Sequence, residues 1–370
     1  MLKIKRKLIK IYIRMYQLLH PIEKQVTFDS FNGMQYSDNP RAISEKLHEL
    51  DPNYKIVWLM REFDSKNVEV PQYVRIVNYN GRNMLQEISK SKAYVTNCEL
   101  TSEFAKRKGQ IFIQTWHGDI CFKKMLLEVD RSLPVFDNKY TDYCLSGSEY
   151  GKRRYKTVFE YNGSILNVGS PRNDILFKND AAEILRVKEK LGIDGNAMVL
   201  LFAPTFRDSN KEGLNIGFDI EKILKLLKKK TDKTWICLVR AHVGSTILKS
   251  PNCIDVTSYP DMARILLITD YLISDYSSCA TDFLIKDKPV ILYQYDIEKY
   301  EKKDRKLDFD SKEAGFIVAD TEKELYRIVE HTSLDAFKES NQRVRDYFQM
   351  NETGKASEIV AKIIINGRPK

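Results

Sequence analysis

The chain has 370 residues, 43% hydrophobic and 11% aromatic, enough for two domains with sizeable cores and too apolar for disorder as the main state. Its net charge of +9 favours an anionic partner: nucleic acid, acidic lipid or a phosphate-rich substrate. The six cysteines form no C-x-x-C pair and lie partly in apolar runs, so they read as reduced core residues, and no metal-ligand spacing appears.

The opening segment carries Lys3, Lys5, Arg6, Lys7, Lys10 and Arg14 and no acidic residue through His20. Leu8, Ile11, Tyr12, Met15, Leu18 and Leu19 alternate with these cations. This predicts an amphipathic helix over 1–24 that lies in an anionic membrane surface. The alternative is a basic helix docked on its own domain. No run reaches the ~20 apolar residues that span a bilayer, and the segment is a poor secretory leader.

Short apolar runs then alternate with helix-length segments, the pattern of parallel sheets with crossover helices. Strands are expected at 26–28, 55–59, 74–77, 93–96, 111–115, 143–146 and 165–168, with helices at 40–50 and 81–91. The pattern restarts with strands at 198–203, 235–239, 271–273, 290–293 and, at an edge, 316–318. Helices are expected at 220–230, 261–268, 277–285, 334–348 and 356–365. A linker helix over 179–195 places the boundary near 180, dividing the chain into domains 25–180 and 181–370. The expected class is α/β, two Rossmann-like domains facing across a cleft.

Ligands of open parallel sheets bind at the carboxyl ends of the strands. The residues that follow the strong strands are therefore the candidates: His117, Gly118 and Asp119; Thr205, Arg207 and Asp208; Arg240, His242 and Ser245; Ser274, Asp275, Ser277, Ser278 and Asp282. His117 and His242 follow strands in different domains. Histidine titrates near neutrality and suits proton removal from a hydroxyl. Gly118 lets a substrate approach the backbone. Asp119 either orients the imidazole or caps a following helix.

Ser277 or Ser278 is expected to cap a helix whose first amides bind an anion, with Asp282 one turn on facing a ribose hydroxyl. Arg207 either neutralises a phosphate or pairs with Asp208. There is no P-loop, G-x-G-x-x-G or G-x-S-x-G motif, which disfavours simple NTPases, dinucleotide dehydrogenases and α/β-hydrolases. The DFD at 308–310 reads as a solvated loop.

Six segments in order give a closer match: VTFDSFNGMQYSDNPRAI (26–43), QTWHGD (114–119), NVGSPRND (167–174), LFAPTFRD (201–208), RAH (240–242) and DYLISDYSSCATDFLIKDKPVILYQYD (270–296). With them the chain resembles the CDP-glycerol glycerophosphotransferases of the wall teichoic acid type. The resemblance implies a glycosyltransferase-B type fold, with an acceptor-side domain first and a CDP-donor-binding domain second. It implies transfer of glycerol phosphate from CDP-glycerol to a hydroxyl of an undecaprenyl-type lipid-linked acceptor, with release of CMP. The enzyme would be peripheral, at the cytoplasmic face of the membrane, with no cofactor and no nucleic acid partner.

The resemblance also makes His117 the base, sets His242 against the donor phosphates, and puts Ser274–Ser278 on the nucleotide side. Two positions depart from the family pattern. Asp119-Ile120 replaces the usual Thr-Pro after His-Gly, and Val243 replaces a proline. CDP-ribitol, or a nucleotide sugar for capsule synthesis, is the alternative donor. A basic lipid- or RNA-binding module without catalysis is the third reading; it gives no reason for two strand-end histidines.

Overall fold

The computed structural model describes residues 2–61, 69–99, 105–130, 140–205, 207, 217–241 and 252–367, with side chains from residue 7 onward. The chain forms two compact units. The first comprises Met1–Asp119, Leu126–Asp174 and Asn351–Lys370; the second comprises Ile120–Met125 and Ile175–Met350.

The first unit holds a seven-stranded parallel sheet: β1 (Glu23–Phe28), β2 (Lys55–Met60), β3 (Val74–Asn78), β4 (Ser91–Thr96), β5 (Ile111–Gln114), β6 (Tyr143–Ser146) and β7 (Ser164–Asn167). Its order is β3-β2-β1-β4-β5-β6-β7. The strands are short and buried on both faces, so they read as continuous apolar runs such as Ile56–Met60. One face packs against α2 (Asp38–Leu50) through Ile43 and Leu47. The other packs against α1 (Leu2–Leu19) and α3 (Arg82–Lys90) through Ile13, Met84, Leu85 and Ile88.

Helix α1 docks on its own domain, as the second of the two expectations had it, and keeps an apolar face uncovered among the described residues. Ile13 is fully buried against its own unit, while Leu8, Ile11, Met15, Leu18 and Leu19 remain exposed. Beyond β6 comes α4 (Glu149–Thr157), whose cap residue Ser148 accepts a hydrogen bond from the Gly151 amide. This helix was not expected, because its sequence EYGKRRYKT is almost wholly polar.

The second unit holds a six-stranded parallel sheet: β8 (Met198–Ala203), β9 (Trp235–Val239), β10 (Cys253–Asp255), β11 (Tyr271–Ser274), β12 (Val290–Tyr293) and β13 (Val318–Ala319). The order is β10-β9-β8-β11-β12-β13. Helices α5 (Asp174–Lys178) and α6 (Ala181–Lys190) lead into it. They are followed by α7 (Ile220–Thr231), α8 (Met262–Ile268), α9 (Cys279–Phe283), α10 (Ile297–Lys303), α11 (Glu322–His331) and α12 (Leu334–Phe348). Strand β10 is three residues long, too short for the sequence to show.

Two segments cross the expected linear division at 180. Helix α13 (Ala356–Asn366) returns to the first unit, where Val360, Ala361 and Ile364 are buried in the α2 core. Asp174 caps it, accepting from the Ala356 and Ser357 amides at 3.0 and 2.7 Å. Conversely, residues Ile120–Met125 count with the second unit. Phe122 is buried against Phe309 and Phe316, and the Lys124 amide donates to the Lys306 carbonyl. In both cases buried apolar side chains outweigh sequence order.

Candidate functional site

Each sheet reverses its strand order once, between β1 and β4 in the first unit and between β8 and β11 in the second. Such reversal points splay the loops apart and open a crevice at the carboxyl ends of the strands. The candidate residues gather at these two places.

In the first unit the chain leaves β5 through Trp116, whose φ is +48°, a left-handed conformation costly for a bulky residue. Three hydrogen bonds hold it. The Trp116 amide donates to Gln114 Oε1 at 2.9 Å, and the Trp116 carbonyl accepts from Thr115 Oγ1 and Asn39 Nδ2, each at 2.9 Å. This turn leaves the next residue, His117, exposed. His117 Nδ1 lies 2.9 Å from the Asn97 carbonyl oxygen. A carbonyl only accepts, so Nδ1 carries the proton and the neutral ring keeps Nε2 free of one.

Other segments close around this histidine. Asn97 Oδ1 accepts from the Phe31 amide at 2.7 Å, which sets the Phe31 ring 5.3 Å from the imidazole. Arg172 is buried; its Nη1 donates to the His117 carbonyl at 2.6 Å and to Asp38 Oδ2 at 3.0 Å. Its backbone amide donates to Asn39 Oδ1 at 3.0 Å. Three of the sequence segments, 26–43, 114–119 and 167–174, therefore meet around one ring.

Asp119 bonds the turn that leads into α4. Its carboxylate accepts from the Ser146 hydroxyl at 2.6 Å and from the Ser148 hydroxyl, pinning the loop to the turn between β6 and α4. Gly118 follows His117 in the same loop. Directly behind the site, Asp29 is buried at the end of β1 and accepts from Tyr94 Oη at 2.7 Å and Thr96 Oγ1 at 2.6 Å. Burial raises its pKa to about 6, against the pull of those two bonds. The strand-end rule, applied also to β1 and β4, marks Asp29 and Asn97. Arg172 and Asp38 have no comparable local signal.

In the second unit Asp275 joins β8 to β11, accepting from the Thr205 amide at 2.8 Å. Arg207 is not the free cation that the sequence offered. Its guanidinium is held by Asp275 at 2.9 Å and Asp296 at 2.8 Å, and lies 5.0 and 4.7 Å from the ring centroids of Tyr276 and Tyr300. Burial opposes its charge, but the bonds to Asp296 and Asp275 outweigh burial and hold its pKa above the ordinary value. Lys123 stands in the field of the same groups, and burial lowers its pKa.

Ser274 and Arg240 make hydrogen bonds within the second unit. Ser274 is buried and donates to the Ala203 carbonyl at 2.7 Å. Arg240 Nη1 donates to the carbonyls of Val256 and Tyr259 at 3.2 and 2.6 Å. The helix expected over 277–285 shrinks to the five residues of α9, because a 3-10 turn, Leu284–Lys286, replaces its last part. Ser278 makes no side-chain cap, and Ser277 Oγ accepts from the Cys279 amide at 3.4 Å. Asp282 is buried rather than facing outward. Thr205 Oγ1 is buried and has no hydrogen-bond partner among the described residues, a state that suits contact with a ligand. His242, Asp208 and Ser245 lie outside the described residues.

Comparison with known proteins agrees with this chemistry. The family model described as CDP-Glycerol:Poly(glycerophosphate) glycerophosphotransferase matches residues 12–366. The teichoic acid poly(glycerol phosphate) polymerase of Bacillus spizizenii is 31% identical over 358 residues, covering 87% of this chain and 88% of that one. The protein of the same name from Bacillus subtilis is 29% identical over 368 residues, covering 92% of this chain and 48% of that one. The chain thus spans about half the length of such longer relatives. Among solved structures, a variant of the wall teichoic acid polymerase TagF superposes with a TM-score of 0.81 at 25% identity, covering 98% of this chain and 97% of that one.

Proposed function

The chain belongs to the CDP-glycerol:poly(glycerophosphate) glycerophosphotransferase family, and on that premise we propose that it transfers glycerol phosphate from CDP-glycerol to a hydroxyl of a lipid-linked saccharide or polyol-phosphate acceptor in teichoic acid or related polymer synthesis. The observation that carries the reading is the His117 ring: exposed, with Nδ1 anchored on a backbone carbonyl and Nε2 available to take a proton.

In this scheme the acceptor oxygen attacks the glycerol-bearing phosphorus of CDP-glycerol. Its proton passes to His117 Nε2, the new P–O bond forms, and the pyrophosphate P–O bond breaks with CMP leaving. Arg172 and Asn97 keep the imidazole in place during the step, which matters because a displaced base loses most of its effect. Acceptor chemistry belongs to the first unit and donor binding to the second, the division a glycosyltransferase-B type enzyme uses.

On the donor side, Thr205 Oγ1 and the Ser277 and Ser278 hydroxyls offer hydrogen bonds to phosphate oxygens. His242 takes the donor-phosphate role that the family resemblance gives it. The Arg207–Asp275–Asp296 cluster acts by holding the β8 and β11 loops rather than as a bare cation. CDP-glycerol is the donor substrate and no separate cofactor enters the scheme. Among the described residues no helix is long and apolar enough to cross a membrane. The exposed Leu8, Ile11, Met15, Leu18 and Leu19 of α1 support peripheral attachment at an anionic membrane face, where the acceptor lipid is.

The test is release of CMP by the purified chain from CDP-glycerol with a defined lipid-linked acceptor, beside CDP-ribitol and a panel of sugar nucleotides. Acceptor-dependent CMP from CDP-glycerol supports the reading. UDP or GDP release from a sugar nucleotide, with CDP-glycerol inert, overturns it.

A further inference from the structure

A second concentration of charge lies at the amino ends of β4 and β5, at the edge of the sheet away from His117. A cavity of about 600 Å3 there is lined by Lys92, Lys106, Arg107, Lys108, Gln110 and Tyr140. Lys106 is paired with Asp142 and donates to the Tyr140 carbonyl. Lys92 and Lys108 meet no carboxylate among the described residues. Arg107 spends Nη1 on the carbonyl oxygens of Gln17 and His20, at 2.7 and 2.8 Å, and meets no carboxylate among the described residues either.

Those two bonds tie the basic loop to the last turn of α1. A third, from Gln17 Nε2 to the Ala105 carbonyl at 2.7 Å, completes the attachment. The same turn leaves Leu18 87% and Leu19 80% exposed. Cations that meet no carboxylate among the described residues and exposed leucines therefore share one corner of the first unit, tied together by these bonds. A free phosphate would use the cations and leave the leucines in water. A lipid with an anionic headgroup uses both, since its phosphate meets the cations while its acyl chains take the leucines.

We infer that this cavity receives the phosphate headgroup of an anionic membrane lipid, with Leu18 and Leu19 entering the acyl boundary beside it. The inference deepens the membrane clause of the proposed function and rests on it. It differs from diffuse attraction of a basic surface, because it assigns the binding to Lys92, Arg107 and Lys108 rather than to the total charge.

The experiment is flotation of the whole chain with phosphatidylcholine vesicles, with and without phosphatidylglycerol. Wild type binds the phosphatidylglycerol vesicles more tightly. Losing a cation at the surface costs about fivefold in affinity, so Lys92→Gln with Lys108→Gln weakens that binding by about 30-fold, whereas Lys92→Arg with Lys108→Arg retains it. The control pair Lys225→Gln and Lys233→Gln removes the same charge from exposed positions of the second unit and weakens binding less.

Equal losses in the two glutamine pairs, or none at Lys92 and Lys108, overturn the inference. So does full displacement of the chain from vesicles by inorganic phosphate, which would make this a free-anion site. A wild-type chain that ignores both vesicle types removes the membrane reading together with the inference. CMP release with a water-soluble acceptor, measured on the same preparations, reports on the catalytic reading separately. A chain that shows the expected vesicle pattern and releases no CMP keeps the inference and loses the catalytic reading.

Discussion

The Nδ1 of His117 donates to the backbone carbonyl of Asn97, the residue that follows the neighbouring strand β4. The partner that sets the tautomer is thus a main-chain group, which no substitution at 97 removes. The Asn97 side chain faces the other way, bonding the Phe31 amide and, at 3.1 Å, Ser30 Oγ. The histidine is therefore positioned by the sheet itself.

Replacing His117 by alanine removes the base and leaves the donor site in the second unit intact. Acceptor-dependent CMP release should fall about 10²- to 10⁴-fold, the usual contribution of a positioned general base. CDP-glycerol affinity measured by calorimetry should stay close to wild type. Turnover near the wild-type rate would reject the assignment of His117.

Arg172→Ala leaves the largely covered Asp38 carboxylate without its ion-pair partner and frees the His117 carbonyl. Urea denaturation should show a loss of about 3 kcal/mol, and transfer should slow by a reduced kcat with little change in the KM for CDP-glycerol. Arg172→Lys should recover part of the stability but less of the rate, because an ammonium does not reproduce the planar fork. A pure KM effect would point to substrate contact instead.

Asp29 gives the pH dependence a sign. Its folded pKa of about 6 exceeds the ordinary value of 3.8, so between these values the native state holds the extra proton. The stabilisation is fully present below about 3.8 and is lost as the pH rises through about 6, by roughly 3 kcal/mol in all. Asp29→Asn should flatten this slope in urea melts taken from pH 4 to 7. Parallel curves for the two proteins would show that Asp29 does not carry it.

Arg207→Ala leaves Asp275 and Asp296 facing each other in a buried setting. The variant should lose about 3–5 kcal/mol and bind CDP-glycerol poorly. Adding Asp296→Asn should restore part of the stability by removing one of the stranded charges. If the single variant is as stable as wild type but does not bind donor, Arg207 contacts the phosphates directly.

Gly169 has φ +99°, and a Cβ there would stand 2.7 Å from Glu352 Oε2. Glu352 accepts from the Ser170 amide at 3.0 Å and so anchors the loop that carries Arg172 to the returning C-terminal segment. Gly169→Ala should therefore destabilise the chain by more than ~1 kcal/mol and lower activity in step. A change within a few tenths would mean that this loop does not depend on the tail.

Much of the architecture is legible in the chain because a buried parallel strand leaves a mark that needs no partner to read. Val199–Ala203 and Tyr271–Ile273 are apolar through their length and give way to polar residues within two positions. The strand-end rule then points to His117, Thr205 and Asp275 before any coordinates exist. It does not reach β10, which has three residues, or α4, whose sequence is almost wholly polar.

The sequence by itself determined the two sheets, the strand ends where chemistry gathers, and the family. Only the tertiary structure decided which groups meet there. It gave Asn97 to His117, closed Arg207 between Asp275 and Asp296, and returned α13 to the first unit. The physical reason is range. Helix and strand periodicities are local and repeat along the chain, whereas a buried ion pair or a hydrogen bond between distant loops leaves no period, and its partners are chosen by the packing of everything between them.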